Sequence, residues 1–358
     1  MNSVPEFTSV VFAKGDNGFD TYRIPAIVCA ADGGLLAFAE ARKNDRSDAG
    51  DIDLVVRRSE DGGRTWGKII TVWDEGDNTC GNPAPVVDSR TGRIILPMTW
   101  NKGCDKEIDI QCRTSEDTRR VFLTYSDDNG LTWAPVREIT SEVKDSSWTW
   151  YATGPCHSIQ LANSPHAGRI VVPCNHGVFG SGTVSFVLFS DDGGETWTIG
   201  GTPDVGNEAT VAELKDGSLM LNMRNGGCRL VAISHDGGET FSESSADSTL
   251  VEPRCQASLA GYTPKGKPTG TLFFSNPAHS TKRVEMTVKR SDDDGATWRT
   301  AFELGPAPAA YSDLVVFPDG SLGLLYETGE DSPYDTITFC RWSKHSVRVS
   351  GRYCSSAI

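Results

Sequence analysis

One eight-residue pattern, Ser-x-Asp-x-Gly-x-Thr-Trp, recurs along the chain and limits its possible folds more than any other feature. Its five copies, called boxes below, start at Ser59, Ser126, Ser190, Ser234 and Ser291, and the fourth ends in phenylalanine instead of tryptophan. The serine and aspartate side chains can bond nearby backbone N–H groups, and the glycine tolerates a positive φ. Each box therefore predicts a hairpin turn whose aromatic residue anchors it to the body. Repeats of this length indicate a solenoid or a propeller.

A second repeat, a turn glycine followed by an apolar strand, occurs six times. Its glycines are Gly33, Gly92, Gly168, Gly217, Gly270 and Gly320. A box follows each of the first five, so the unit reads strand, glycine turn, strand, connection, strand, boxed turn, strand. These units predict an all-β fold, a six-bladed β-propeller of four-stranded antiparallel blades, whose closure leaves only short strand edges exposed.

The two ends of the chain complete this prediction. The sixth unit has no box, so we expect the strand near Phe7–Phe12 to complete the last blade and close the ring. A length of 358 residues alone would suggest two domains, but the repeats favour one. We predict a single propeller domain over residues 1–346 and a loose C-terminal tail over residues 347–358.

Composition and charge exclude several classes of function. The formal charge of −14 opposes nucleic-acid binding through a general basic surface, and no apolar run approaches the roughly 20 residues of a membrane helix. The sequence also has no Gly-rich phosphate loop, zinc-ligand spacing or calcium hand, so we expect neither a cofactor nor a metal. We also expect the protein to be a monomer.

The ten cysteines are scattered without a Cys-x-x-Cys motif, which favours buried thiols. Cys104 and Cys112 bracket a polar loop and could close a local disulfide in an oxidising compartment. The first residues, Met1 to Ser3, do not begin a signal peptide. The sequence leaves a cytoplasmic location open and favours a secreted or periplasmic one, occupied by a processed form whose export signal has been removed.

The first strand of each unit would line the central channel of a propeller, and polar residues collect in these strands. They include Tyr22–Pro25, Glu208–Glu213 and Tyr311–Asp313. Because blades meet at the axis, an arginine, a glutamate and a tyrosine would converge there from separate blades. The sequence therefore predicts a polar basin at the mouth of the channel.

The Tyr-Arg-Ile-Pro element at Tyr22–Pro25, together with the boxes, gives the sequence a resemblance to the exo-α-sialidases (neuraminidases) of the bacterial and animal type. The resemblance extends over roughly residues 5–343. It implies a six-bladed propeller and a glycoside hydrolase that removes terminal sialic acid from glycoproteins, glycolipids and oligosaccharides. Sialylated glycans would then be its binding partners.

Sialic acid carries a carboxylate on the carbon that is attacked, and the planar fork of arginine suits such a group. The resemblance implies that Arg23, Arg229 and Arg283 share the binding of this carboxylate. Arg224 competes with Arg229 for one of these positions, and Lys282 competes with Arg283.

Further roles follow from the same resemblance. Arg42 is a candidate ligand for the carboxylate or a ring hydroxyl, and Glu327 resembles the acid that holds the first arginine. The loop after Arg42 offers the general acid that protonates the leaving oxygen. Asp48 matches this acid best, and Asp45 and Asp51 remain alternatives.

The nucleophile implied by the resemblance is Tyr311. Sialidases with a tyrosine nucleophile are a recognised exception to the two-carboxylate scheme of glycosidases, because the substrate's own carboxylate repels an anion. Glu213, placed before a turn glycine, matches the base that takes the phenol proton, with Glu208 as its rival on the opposite face of the strand. The reaction would retain anomeric configuration through a covalent tyrosyl-sialosyl intermediate.

Two features near the predicted basin stay open. The cluster Trp148–Tyr151 fits either an apolar wall for the N-acyl group or aglycone, or packing within a blade. His157 fits a strand opening and a simple bond to the backbone equally well.

Two other functions compete with hydrolysis by an exo-sialidase. One is a trans-sialidase or a relative that cleaves another nonulosonic acid, and the other is a catalytically inactive propeller that binds sialoglycans. An acid, a base and a nucleophilic phenol together disfavour the inactive binder, which needs none of them.

Overall fold

The computed structural model describes residues 4–163, 165–264 and 266–350, and its regular structure is mostly β-strand. The first elements are β1 (Phe7–Ala13), a 3₁₀ turn (Asp16–Gly18), β2 (Thr21–Cys29), β3 (Leu35–Arg42), β4 (Ile52–Ser59), β5 (Ile70–Trp73), β6 (Thr79–Gly81), β7 (Val86–Val87) and β8 (Ile94–Asn101). Next come α1 (Glu107–Gln111), β9 (Arg120–Ser126), β10 (Arg137–Glu138), α2 (Thr140–Val143), β11 (Trp148–Thr153), β12 (Ile159–Gln160), β13 (Ile170–Val178), β14 (Gly182–Ser190), β15 (Thr198–Ile199) and β16 (Ala209–Glu213). The chain continues with β17 (Leu219–Ser234), β18 (Ser245–Glu252), β19 (Ser258–Gly261), β20 (Leu272–Pro277), β21 (Met286–Ser291), β22 (Arg299–Glu303), β23 (Ala309–Val316), β24 (Leu322–Thr328), β25 (Thr336–Trp342) and α3 (Lys344–Val349).

Short antiparallel hairpins carry the turn glycines of the second repeat. β2 pairs with β3, β7 with β8, β12 with β13, β16 with β17, β19 with β20 and β23 with β24. The described strands form five hydrogen-bonded sheets, in a propeller-like arrangement of small antiparallel sheets. Six separate four-stranded blades are not seen as such, because one sheet has nine strands, one has five and one has three. The nine-stranded sheet arises where β4 and β6 form a parallel pair at Ile52 and Thr79.

The N-terminal strand closes the arrangement as the sequence predicts. β1 pairs antiparallel with β25, from Phe7 opposite Arg341 to Ala13 opposite Thr336, in the sheet that also holds β24 and β23. The first strand of the chain and the last therefore lie side by side.

The boxes form the hydrogen-bonded turns that their residues predict. In the second box, Ser126 Oγ donates to Asp128 Oδ1 at 2.8 Å, and the amide of Gly130 donates back to Ser126 Oγ at 2.8 Å. Thr132 donates to the same aspartate through its amide at 2.9 Å and through its hydroxyl at 2.5 Å. These donors lower the pKa of Asp128 to about 2, the bond from Thr132 contributing most. The box aspartates are therefore structural anions.

Each box also packs onto a neighbouring unit. Gly130, at φ 85°, lies so close to Leu36 of β3 that a Cβ atom would collide with it. The ring of Trp133 meets Phe38 of the same strand edge-on, with centroids 5.6 Å apart. At the closing joint, Gly63 contacts Phe339 of β25 in the same way. The boxes thus fasten one repeat unit to the next.

The hydrophobic core is divided among these joints. One buried cluster combines Ile27 and Val55 of the first units with Phe339 of the last, and another combines Val171 of β13 with Val211 of β16. Each fully buried aliphatic or aromatic side chain contributes roughly 1.5–3 kcal/mol relative to an exposed one. The inner strands are therefore held firmly, and their polar ends are positioned by a rigid support.

The predicted tail begins inside regular structure. Helix α3 covers its first residues, and Val347 is 1% exposed and packed in a core cluster, so chain order is not lost at residue 347. The rest of the tail, residues 351–358, lies outside the described residues.

Two smaller findings concern the helices and the thiols. Across the described ranges, no helix is long and apolar enough to cross a membrane. In the same ranges all nine cysteines are free, and Cys104 and Cys112 are both exposed.

Candidate active site

Polar side chains from several sheets meet in a cavity of about 320 Å³. Its lining contains six arginines, which are Arg23, Arg42, Arg119, Arg224, Arg254 and Arg283. It contains four carboxylates, which are Glu40, Asp48, Glu107 and Glu208. The other lining residues are Ile24, Asn82, Trp150, Ala152, Asn175, Asn207 and Tyr311. Cations thus outnumber anions on this lining although the whole chain carries −14, so the cavity suits an anionic ligand.

A tyrosine bonded to a carboxylate lies at the centre of the cavity. The Tyr311 hydroxyl donates to Glu208 Oε1 at 2.5 Å. Arg224 Nη1 lies 2.6 Å from Glu208 Oε2 and donates to the Tyr311 oxygen at 3.1 Å. The carboxylate can accept the phenol proton, and the guanidinium stabilises negative charge on either oxygen.

The position of Tyr311 is linked to that of Arg23 through one buried carboxylate. Glu327, fully buried on β24, accepts from Arg23 Nε at 2.8 Å and from the amide of Tyr311 at 3.0 Å. It also accepts from the amide of Ile24 at 3.0 Å, where the backbone has φ 57° and β2 is irregular. With this irregularity, the backbone near the start of β2 and near the start of β23 bonds the same Glu327 carboxylate.

Two further guanidiniums flank the tyrosine ring. Arg23 lies 5.1 Å from the centroid of Tyr311 and Arg283 lies 5.5 Å from it. Arg283 is held in place by a bond to the Tyr334 hydroxyl at 2.9 Å. With Arg224, which donates to the Tyr311 oxygen, three guanidiniums lie next to the phenol.

Asp48 reaches the same cavity from the loop after β3. Its Oδ1 lies 2.7 Å from Arg42 Nη1 and 3.7 Å from Arg23 Nη1, although 76% of its side-chain surface is exposed. Arg42 is almost fully buried and pairs on its other side with Glu40 at 2.6 Å. Partial desolvation raises the pKa of Asp48, but the guanidiniums of Arg42 and Arg23 outweigh it, so this pKa is lowered overall.

The phenol of Tyr311 is neutral at ordinary pH. Burial raises its pKa well above the usual value, and the Glu208 carboxylate raises it further. The cations Arg224 and Arg283 oppose both effects. A base beside the hydroxyl is therefore needed before the oxygen can attack an electrophile.

Among the residues singled out in the sequence, the structure brings together Arg23, Arg42, Asp48, Arg283 and Tyr311, with Glu327 directly behind them. Of the alternatives, Asp45 and Asp51 do not line the cavity, and neither does Lys282. The candidates for the base and for one arginine need correction.

The structure does not place Glu213, the predicted base, beside Tyr311. Glu213 ends β16 beside the turn glycine, and its carboxylate accepts from the amides of Ala162 and Asn163 at 2.7 and 2.9 Å. Glu208 precedes the same strand, and five residues of extended chain separate the two by roughly 16 Å. β16 starts at the cavity and runs away from it. Glu208, at its start, therefore contacts Tyr311, and Glu213, at its end, does not.

The structure does not bring Arg229, a predicted ligand arginine, to the cavity lining either. Arg229 is fully buried and pairs with Glu252 at 3.0 Å and with Asn222 Oδ1 at 2.7 Å, away from the cavity lining. Arg224 lies earlier on β17, where its amide donates to the carbonyl of Glu208 at 2.9 Å. The sequence contained a signal for Glu208. Arg23 and Tyr311 lie near the starts of β2 and β23, and Glu208 lies at the corresponding position before β16.

Several lining residues carry no motif in the sequence. Arg119 is 2% exposed, lies 4.2 Å from the ring of Trp150, and bonds Thr99 at 2.8 Å. Burial lowers its pKa to about 10. Glu107 reaches the cavity from the short helix α1. The positions of these residues depend on the connections between strands, whose conformation the repeats do not predict.

Within residues 4–163, 165–264 and 266–350, no three His, Cys, Asp or Glu side chains are grouped to hold a metal ion. What the cavity offers is anion binding by guanidiniums, a phenol with a base, and a carboxyl group across from them.

Comparison with known proteins places this chain in a family. A BNR repeat-like domain matches residues 33–324. A sialidase of Micromonospora viridifaciens is 34% identical over 339 residues, covering 90% of this chain and 52% of that protein. The chain therefore spans about half the length of this bacterial relative.

Two further matches cover more of the other protein. An exo-alpha-sialidase of Aspergillus fumigatus is 32% identical over 360 residues, covering 90% of this chain and 84% of that protein. The structure of the Hadza microbial sialidase Hz136 superposes with a TM-score of 0.84 at 32% identity, covering 95% of this chain and 69% of the other. With the repeat-like domain extending over most of its length, the chain belongs to the sialidase family.

Proposed function

We propose that this protein is an exo-α-sialidase that hydrolyses terminal sialic acid from glycoproteins, glycolipids and oligosaccharides. The observation that carries the proposal is the Tyr311–Glu208 pair, joined at 2.5 Å, inside a group of three guanidiniums. A protein that only binds sialoglycans needs the guanidiniums but has no use for a phenol bonded to a base. Family membership supports the same substrate class.

The fold that we propose for this function is a six-bladed propeller over residues 1–346, followed by a tail over residues 347–358. The nine-stranded sheet counts as two blades in this interpretation, since β4 and β6 join at a single parallel pair. The six inner hairpins would then contribute one blade each around a common axis.

Capture of the substrate begins with its carboxylate. Arg23, Arg224 and Arg283 lie around Tyr311, and together they would hold the carboxylate next to the carbon that is attacked. Arg42 would bind the carboxylate or a neighbouring hydroxyl. Glu327 would keep Arg23 from rotating, because it bonds both the guanidinium and the adjacent backbone.

The chemical step that we propose uses Tyr311 as the nucleophile and Glu208 as its base. As the bond to the leaving oxygen breaks, the Tyr311 oxygen bonds the anomeric carbon and its proton passes to Glu208. Water then loses a proton to the Asp48 carboxylate and attacks the tyrosyl-sialosyl intermediate, and the phenol leaves with the proton that Glu208 held. Two displacements at one carbon retain the anomeric configuration.

Asp48 would protonate the leaving oxygen. In the free protein its pKa is lowered, which is unfavourable for an acid, because Arg42 and Arg23 face it. When the substrate carboxylate occupies the arginines, their field on Asp48 is reduced and the pKa rises toward the range of a general acid. Binding of the correct substrate thereby prepares the proton donor.

The proposal is tested by incubating the protein with a fluorogenic sialoside and following the released sugar by NMR. We expect fluorescence, inhibition by a dehydrated sugar analogue, and the α-anomer as the first product. The β-anomer as first product would contradict the covalent intermediate. Transfer of sialic acid to added lactose in preference to water would favour the trans-sialidase alternative.

Replacing Arg224 by methionine is expected to raise KM for the sialoside about 100-fold, because a desolvated charge pair to the substrate is lost. The side chains of Arg224 and its partner Glu208 are 21% and 12% exposed, so the carboxylate left unpaired in the variant keeps contact with water. Steady-state kinetics on the purified variant gives the measurement.

The matched control replaces the arginine that lies outside the cavity. Since Arg229 and Glu252 are both fully buried, changing one alone would leave an unpaired charge and cost about 3–5 kcal/mol of folding free energy. The control is therefore the double variant Arg229→Met with Glu252→Gln, for which KM should stay within about twofold of wild type. A large KM increase in this control alone would restore Arg229 as the ligand.

A further inference from the structure

A second polar cluster lies two residues beyond the nucleophile on β23. Asp313 is fully buried, and its Oδ2 accepts from the amides of Ile27 and His157 at 2.8 and 3.0 Å. Its Oδ1 accepts from Ser258 Oγ at 2.7 Å and lies 2.7 Å from His157 Nδ1. These partners belong to different hairpins, so one carboxylate joins several parts of the inner ring.

A buried carboxylate is costly unless it is hydrogen-bonded and paired with an opposite charge. Among the described residues, His157 provides the ion pair to Asp313, and 13% of its side chain is exposed. The exposed part of the ring faces a separate space along the axis, of about 350 Å³, which Glu213 and Cys29 also line. The buried thiol of Cys156 is a further titratable neighbour of Asp313.

The cluster is connected to Tyr311 by the backbone. Tyr311 and Asp313 lie on β23 with one residue between them. Between them, the amide of Ser312 donates to Gln256 Oε1 at 2.9 Å. The pairing of β23 with β24 shifts register between Ala309 and Ser312. Tyr311 therefore lies on an irregular segment held by Glu327 on one side and by Asp313 on the other.

We propose that His157 is a positioning residue for the reaction, which acts through Asp313 to hold the irregular start of β23 so that the Tyr311 hydroxyl stays on Glu208. The inference rests on the proposed sialidase function. The protonated imidazole donates to Asp313 and balances its charge. When the imidazole is neutral, the carboxylate is left as an uncompensated buried anion, which loosens the segment and opposes loss of the phenol proton.

The sign of the pH dependence follows from the pair. Burial lowers the pKa of His157, but Asp313 outweighs it through its charge and its hydrogen bond, so the pKa is raised above the ordinary value. The contribution of the pair to stability and to turnover is therefore present below the ordinary histidine pKa of about 6.5 and is lost as pH rises through the raised value.

The test is His157→Asn, because asparagine keeps a neutral N–H donor near the position of Nδ1 but never carries a charge. In mildly acidic buffer we expect kcat to fall about tenfold while KM changes by less than about twofold. The wild type should lose kcat as His157 deprotonates, and the variant should lack this step in its pH profile. The matched control is His235→Asn, since His235 is exposed and its Nδ1 lies 2.7 Å from Ser218 Oγ, outside the cavity lining. The pH profile of this control should equal that of wild type.

Each outcome decides the proposal. If His157→Asn has the kcat and the pH profile of wild type, the positioning role is wrong even though the sialidase function stands. If the wild type cleaves no sialoside, the proposed function fails and the inference falls with it.

A measurement on the wild type does not depend on the variant folding. The His157 ring, assigned by NMR of 15N-histidine-labelled protein, should titrate at the pH where kcat falls. A ring that titrates elsewhere overturns the proposal.

Discussion

Tyr311→Phe is expected to lower kcat by about 10³-fold or more, while binding of a dehydrated sugar analogue stays close to wild type. The variant keeps the ring between Arg23 and Arg283, so the carboxylate site is preserved. What it loses is the oxygen that donates to Glu208 at 2.5 Å and would bond the anomeric carbon. The measurements are kcat from the fluorogenic assay and the inhibitor Kd from calorimetry.

The control for this variant is Tyr262→Phe. The Tyr262 hydroxyl donates to the carbonyl of Gly320 at 3.0 Å, outside the cavity lining. Loss of that bond should cost about 1 kcal/mol of stability and leave kcat unchanged. Full activity of Tyr311→Phe would mean that another group is the nucleophile. Loss of inhibitor binding together with kcat would show that the ring had moved.

The general fold could be predicted because its signals are local. A box is complete within eight residues, and its internal bonds, such as Gly130 to Ser126, form wherever the residues occur in that order. The closing strand could also be predicted, since the last unit was one strand short and β1 supplies it. The division into sheets was less predictable, because the bridge from Ile52 to Thr79 depends on how two units meet in space.

The site was predictable where a residue belongs to a short motif. Arg23, Asp48 and Tyr311 all reach the cavity. The errors concern residues whose place along a strand decides which end of the axis they face. Glu213 and Arg229 are polar residues on the correct hairpin, but each finds partners outside the cavity, in the amides of the Ala162 segment and in Glu252. The end of a strand that lies at the cavity can be identified only when the ends of all inner strands are compared.

Glu208→Gln and Glu213→Gln give the sharpest test of which glutamate is the base. Each variant removes one carboxylate, at Glu208 directly before β16 or at Glu213, its last residue. Glutamine at 208 can still accept a hydrogen bond from Tyr311 but cannot take its proton. A general base contributes about 10²–10⁴-fold, so kcat should fall about 10³-fold. Arg224 loses its ion pair to Glu208 in this variant, and a moderate change in KM is expected with it.

Glu213→Gln should instead affect folding alone. The Glu213 carboxylate accepts hydrogen bonds from two backbone amides. Burial raises the pKa of Glu213 more than these amides lower it, so the pKa is raised overall. Replacing charged acceptors by a neutral one weakens both bonds, which should lower the free energy of unfolding by about 1–3 kcal/mol and leave kcat within about twofold. Chemical denaturation and steady-state kinetics on both variants decide the assignment. If Glu213→Gln loses turnover and Glu208→Gln keeps it, the base is reached from the far end of β16, and the 2.5 Å contact between Tyr311 and Glu208 is not the catalytic one.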